Sequence, residues 1–148
     1  MASPEFRARH PPITQPQDLH GDWLLHDGSA WDGADTYEEW QHWFAQVDAT
    51  PPPWAGGQQF NLSQLALGAA LAGQGIAMGR AALVLQDVKA GRLVPLLGCS
   101  VLSRAAYSFV TTSHPSPAMQ LVRDWLGDEA LRFCGERAQV LPAPQDAR

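Results

Sequence analysis

Several things are scarce in this chain of 148 residues, and each scarcity excludes something. Cysteine occurs only at Cys99 and Cys134, too few and too far apart for a disulfide scaffold, so free thiols in a reducing, cytoplasmic setting are expected. Positive charge is short, with ten Lys and Arg against fifteen Asp and Glu, and the basic residues are scattered. At a net charge of -5, with no run that tracks phosphates, the chain alone is not expected to hold DNA. Long apolar runs are also missing. "LALGAALAG" is interrupted by Gln74 and Arg80 before it could span a bilayer, and "RARH" stands where a secretory signal would need an apolar core. No membrane role follows.

A core, by contrast, is well provided for. Hydrophobic residues make up 45%, and the length suits one globular domain. Ser3-Pro4-Glu5 has the chemistry of a helix entrance: a cap, a proline for the first position and a carboxylate for the positive end of the dipole. "HPPITQPQDL" then reads as a connector and "DWLLHD" as a short buried strand. Thr36 to Glu39 has capping-box spacing, and Tyr37, Trp40, Phe44 and Val47 share one face of the helix behind it. "TPPPWAGG" ends that helix.

"QQF" is read as a strand end, and Asn61 as the cap of a helix burying Leu62, Leu65, Ala66, Ala69 and Ala72. Gly68, Ala69 and Ala70 are expected to let this helix lie close to a sheet, and Gly73 to stop it. "GIAMG" follows as a buried strand, "RAALVLQDVKAG" as a helix closed by Gly91, and "RLVPLL" as an extended piece. Strands and helices in alternation mean an α/β layer architecture. Farther on, "AAYSFVTT" (Ala105 to Thr112) is β-rich. A long helix enters through Ser116-Pro117, with Val122, Trp125, Ala130 and Phe133 on one stripe, and "LPAPQDAR" is a polar tail.

Taken together, "SPEFRARHPPITQPQDL", "WLLH", "EEWQHWF", "AALAGQGIAMGRAALVLQDVKAGRLVP" and "AYSFV…VRDWLGDEA" resemble the effector-binding domain of LysR-type transcriptional regulators. The subgroup is that of the glycine-cleavage and β-lactamase activators. The resemblance runs from about Ser3 to Ala130. It implies a fold like the type II periplasmic binding proteins, two α/β lobes with a ligand cleft between them. On that resemblance the domain is incomplete. Residues 1–100 form a complete lobe two, 101–135 supply the returning strand and C-terminal helix of a partial lobe one, and 136–148 make a flexible tail. The resemblance further implies that a helix-turn-helix and half of lobe one lie outside the chain, through a truncated gene, a misplaced start codon or a deliberately cut fragment.

In open α/β sheets ligands bind beyond the carboxyl ends of strands, beside helix N-termini. Phe60-Asn61-Leu62-Ser63 is such a place, and its free backbone N–H groups favour a small anion. The resemblance puts part of the effector cleft at this junction. Asn61 serves there as cap, as ligand donor or as both. Tyr107 is a second candidate, its alternative being an ordinary strand tyrosine. Met78, with Gly79, is a weaker one, better explained as core and turn.

Rival signals fail on order or spacing. "GQGIAMG" follows a helix and enters a strand, the reverse of a nucleotide loop. "GCSVLS" lacks the closing glycine of a nucleophile elbow, and Cys99 has no nearby His. His20, Asp22, His26 and Asp27 have no diagnostic metal spacing and are read as solvated or capping. Trp40 and Trp43 are read as packing residues. The expectation is therefore a sensor, not an enzyme, without cofactor or metal. Its partners are a small-molecule effector and either a homo-oligomer or a full-length regulator, with DNA reached only through the absent helix-turn-helix. The alternative is a truncated interaction module that pairs with a full-length regulator without binding DNA.

Overall fold

The computed structural model describes residues 1–54 and 56–145. Its centre is a three-stranded parallel sheet in the order β2-β1-β3. The strands are β1 (Leu24–Asp27), β2 (Gln58–Phe60) and β3 (Ile76–Ala77). Alternation along them sorts side chains onto two faces. Leu24 and Ile76 join Phe6, Trp40, Trp43 and Phe44 in one core cluster, the side of α2 (Glu38–Gln46). Leu25 and Ala77 join Ala66, Ala69, Ala70 and Val84 on the other, the side of α3 (Ser63–Leu71) and α4 (Ala81–Lys89). Being central, β1 is buried at all four positions, which is why it reads as an unbroken apolar start followed by two polar residues that need special partners. This is an α/β layer fold with a parallel sheet. Among the described residues, no helix is long and apolar enough to cross a membrane.

The helix boundaries follow local chemistry with two instructive shifts. In α1 (Pro4–Arg9), Ser3 Oγ accepts the Phe6 N–H at 3.1 Å, the expected cap. The expected Thr36–Glu39 box does not form. Glu38 takes that place, accepting the Asp35 N–H at 3.1 Å, and Glu39 turns inward. Asn61 does not cap α3 either. Leu62, in extended conformation, holds the cap position with no side-chain bond. One residue of shift rotates the buried face. Leu62, Leu65 and Ala72 are exposed while Leu67 and Ala70 are buried, and Gly68 faces solvent, so Ala66, Leu67, Ala69 and Ala70 pack with the sheet residues. Gly73 and Gly91, at φ of +72° and +70°, end α3 and α4 in the left-handed conformation expected of them.

The last third departs most from expectation. "RLVPLL" forms no strand; Val94 makes a single antiparallel bridge to Ala2. Ala105 to Thr112 is not a strand, and Tyr107 and Val110 are more than four-fifths exposed. High β-propensity cannot make a strand without a neighbour to bond, and no described strand lies beside it. α5 (Pro117–Val140), capped by Ser116, runs past the boundary expected at 135 and has no buried residue; Val122 and Trp125 are exposed. Its half-buried positions are Glu129, Phe133, Glu136, Arg137 and Val140, and Glu136 pairs with Lys89 of α4 at 2.6 Å. Beyond it, β5 (Pro144–Gln145) lies parallel to β4 (Ser100–Val101), where a polar tail was expected.

Candidate ligand site at the carboxyl ends of the parallel strands

β1 and β2 end together. The Gly28 N–H donates to Phe60 O at 2.8 Å, and an open hollow of about 480 Å³ lies beyond, lined by Gly28, Ser29, Thr36, Phe60, Asn61 and Leu65. Of the sequence candidates, Phe60 and Asn61 line it. Leu62 is exposed and lines no described hollow. Ser63 sits behind it, donating from Oγ to Asp27 Oδ2 at 2.5 Å. Met78 and Tyr107 lie elsewhere, on a second hollow also of about 480 Å³, between α2, the end of β3 and residues 95–107. Four of the six candidates thus line a hollow, two in each, and Leu62 and Ser63 line neither.

Between the two hollows, with Glu39 and Arg80 lining the second, is an ion network that local sequence patterns do not mark. Asp27, at the end of β1, is 2% exposed and also accepts the Ser29 N–H at 3.0 Å. Arg80, at the N-cap of α4, reaches Asp27 Oδ2 at 3.4 Å, Glu39 Oε1 at 3.0 Å and the Ala30 carbonyl at 2.7 Å. Burial pushes the Glu39 carboxyl up, Arg80 opposes this, and Asp27 adds to it. One guanidinium therefore holds two buried carboxylates and the loop after β1. The signal available in sequence was weak. Asp27 follows three buried residues, and Arg80 follows a strand, but their partners are 41 and 53 residues apart.

His26 is also a correction. It is not solvated but wholly buried, edge-on to Tyr37 and Trp54, and neither ring nitrogen has a described partner. Burial lowers its pKa from 6.5 to about 4. The folded state thus prefers the neutral ring. Its contribution is complete above pH 6.5, falls as the unfolded chain takes up protons below that, and is gone below pH 4. The wild type is expected to lose about 3 kcal/mol more stability than His26→Leu between pH 7 and 4, as measured by urea unfolding; parallel pH profiles would contradict this. Among the described residues no three His, Cys, Asp or Glu are placed to hold a metal. Burial also raises the Cys99 thiol pKa, which makes it a poor nucleophile.

A model of the LysR substrate binding domain matches residues 1–131. The chain belongs to that family. Among curated relatives of this LysR domain, the HTH-type transcriptional regulator DsdC of Escherichia coli K12 is 32% identical over 131 residues, covering 87% of this chain and 42% of that protein. The glycine cleavage system transcriptional activator of the same strain is 29% identical over 130 residues, covering 85% of this chain and 40% of that protein. The activator of E. coli O6:H1 strain CFT073 gives the same figures. The chain therefore spans about two fifths of the length of these relatives. No solved structure matches. The family supports a ligand-sensing role in transcription regulation and adds nothing that calls for catalysis.

Proposed function

We propose that this LysR domain is the sensing portion of a cytoplasmic transcriptional regulator, and that it binds a small anionic metabolite at the carboxyl ends of β1 and β2. The observation that carries the reading is the hollow itself. Asn61, Ser29, Thr36 and Gln59 border one open space beside an apolar wall of Phe60 and Leu65, the last in the first turn of α3. At this end of α3 the Leu65 N–H bonds Leu62 O, while the Ser63 and Gln64 N–H groups bond no described residue, and a helix end of this kind favours negative charge. Asp27 does not repel the anion with a full charge, because Ser63 and Arg80 already hold it. Met78 and Tyr107 bring the second hollow into the same sensing surface.

In this reading residues 1–100 are lobe two and 101–135 belong to lobe one, and the effector shifts the balance between arrangements of subunits. DNA is contacted by a helix-turn-helix outside these 148 residues, and the chain works within a homo-oligomer or beside a full-length regulator. No catalytic step is part of the role. A second reading, an interaction module that docks on a full-length regulator, is favoured by the exposed apolar residues of 102–131.

The test is a thermal-shift panel of amino acids, aromatic carboxylates and cell-wall fragments, each anion beside its neutral amide. An anion at a hundred times its Kd stabilises by about 2.7 kcal/mol, a rise of several degrees that its amide does not match and that Asn61→Trp, which fills the hollow, removes. Equal shifts with anion and amide, or a shift unaffected by Asn61→Trp, would overturn the reading.

A further inference from the structure

The polar end of the second hollow is only half satisfied. Arg80 spends Nε and Nη2 on Glu39, Asp27 and the Ala30 carbonyl, while its Nη1 bonds no described residue. Glu39 accepts through Oε1; its Oε2 likewise bonds no described residue. Both side chains line the hollow. They retain 22% and 9% exposure, enough for the spare groups to be reached. A donor and an acceptor on two side chains already bonded to each other are thus left without a described partner. The rest of the wall is mainly apolar, with Trp40, Met78 and Leu97 among its members, and carries His42 and Arg137 as well.

The charge balance says what fits there. Two carboxylates share the Arg80 guanidinium, and desolvation raises the Glu39 carboxyl although Arg80 opposes it; Arg137 lines the same hollow. A lone anion on Nη1 would leave Glu39 Oε2 unpaired, and a lone cation beside Glu39 would leave Nη1 unpaired. A molecule carrying both charges pairs both groups with charge-assisted hydrogen bonds. We propose that the second hollow binds a zwitterion with a large apolar body, an α-amino acid with an aromatic or branched side chain, its carboxylate on Arg80 Nη1 and its ammonium on Glu39 Oε2. This rests on the reading of Met78 and Tyr107 as ligand-facing. The volume lies within the range of small-molecule sites.

Isothermal titration of the 148-residue chain with L- and D-phenylalanine tests it, beside 3-phenylpropionate, phenethylamine and glycine. These lack, in turn, the ammonium, the carboxylate and the apolar body. One phenylalanine enantiomer is expected to bind at least tenfold tighter than all three. Ala82→Phe, which places a ring into the hollow from an exposed position of α4, should keep the circular dichroism of the wild type and lose at least tenfold in affinity. Glu39→Gln should reduce the preference for phenylalanine over 3-phenylpropionate to near unity. Equal binding of 3-phenylpropionate or glycine, or no binding of phenylalanine by the folded protein, overturns the assignment. Should phenylalanine binding survive Ala82→Phe and vanish in Asn61→Trp, the ligand sits in the first hollow; sensing then stands and this proposal falls.

Discussion

Arg80→Met is expected to leave the chain largely unfolded at 37 °C. Methionine keeps much of the apolar stem but removes the guanidinium from both carboxylates, leaving Glu39 no described donor and Asp27 only the Ser63 hydroxyl and the Ser29 N–H; the two are 8% and 2% exposed. Truncating one member of a buried ion pair typically costs about 3–5 kcal/mol, because the charge left behind is neither solvated nor paired. Here two charges are left behind, and the Ala30 carbonyl loses its partner as well. Typical domains have only about 5–15 kcal/mol in all. Urea unfolding followed by circular dichroism measures the loss. Adding Asp27→Asn and Glu39→Gln should recover a substantial part of it, since the stranded charges are then gone. A loss below about 1 kcal/mol for Arg80→Met would mean that the network is a loose surface pair.

The second large effect concerns association. The described residues include a run of exposed apolar side chains in the last third: Leu102, Tyr107, Phe109, Val110, Leu121 and Trp125, among others. The stripe of α5 that rests on the body at Glu129, Phe133 and Glu136 continues uncovered through Val122 and Trp125. So many large apolar side chains left exposed in one segment are unusual on a monomer. The 148-residue chain is therefore expected to self-associate at micromolar concentration. Val110→Asp with Trp125→Glu should weaken association at least tenfold without altering the three-stranded sheet. Sedimentation velocity at several concentrations reads both. A concentration-independent monomer for the wild type would contradict the expectation.

How much of this was legible in the sequence depended on range. Features set by neighbours in the chain could be read. The Ser3 and Ser116 caps, the Gly73 and Gly91 stops and the β1 strand are all where local chemistry puts them. Cap positions with two adjacent candidates were misread by one residue, Glu39 for Glu38 and Asn61 for Leu62. Each slip mattered, because the residue freed from capping was the one that faced a site. "AAYSFVTT" failed for another reason, since a strand is a property of a pair and propensity speaks for one member only. The Asp27–Arg80–Glu39 network joins three segments, and no local pattern marks such a meeting.

The central claim is that a small ligand is sensed at the carboxyl ends of the parallel strands. Amide chemical-shift mapping of the 148-residue chain, titrated with the anion that stabilises it most, tests this directly. The largest movements are expected at Gly28, Ser29 and Phe60 to Ser63. Should those amides stay still while others move, or should no compound bind a folded chain, these strand ends do not form the sensing site.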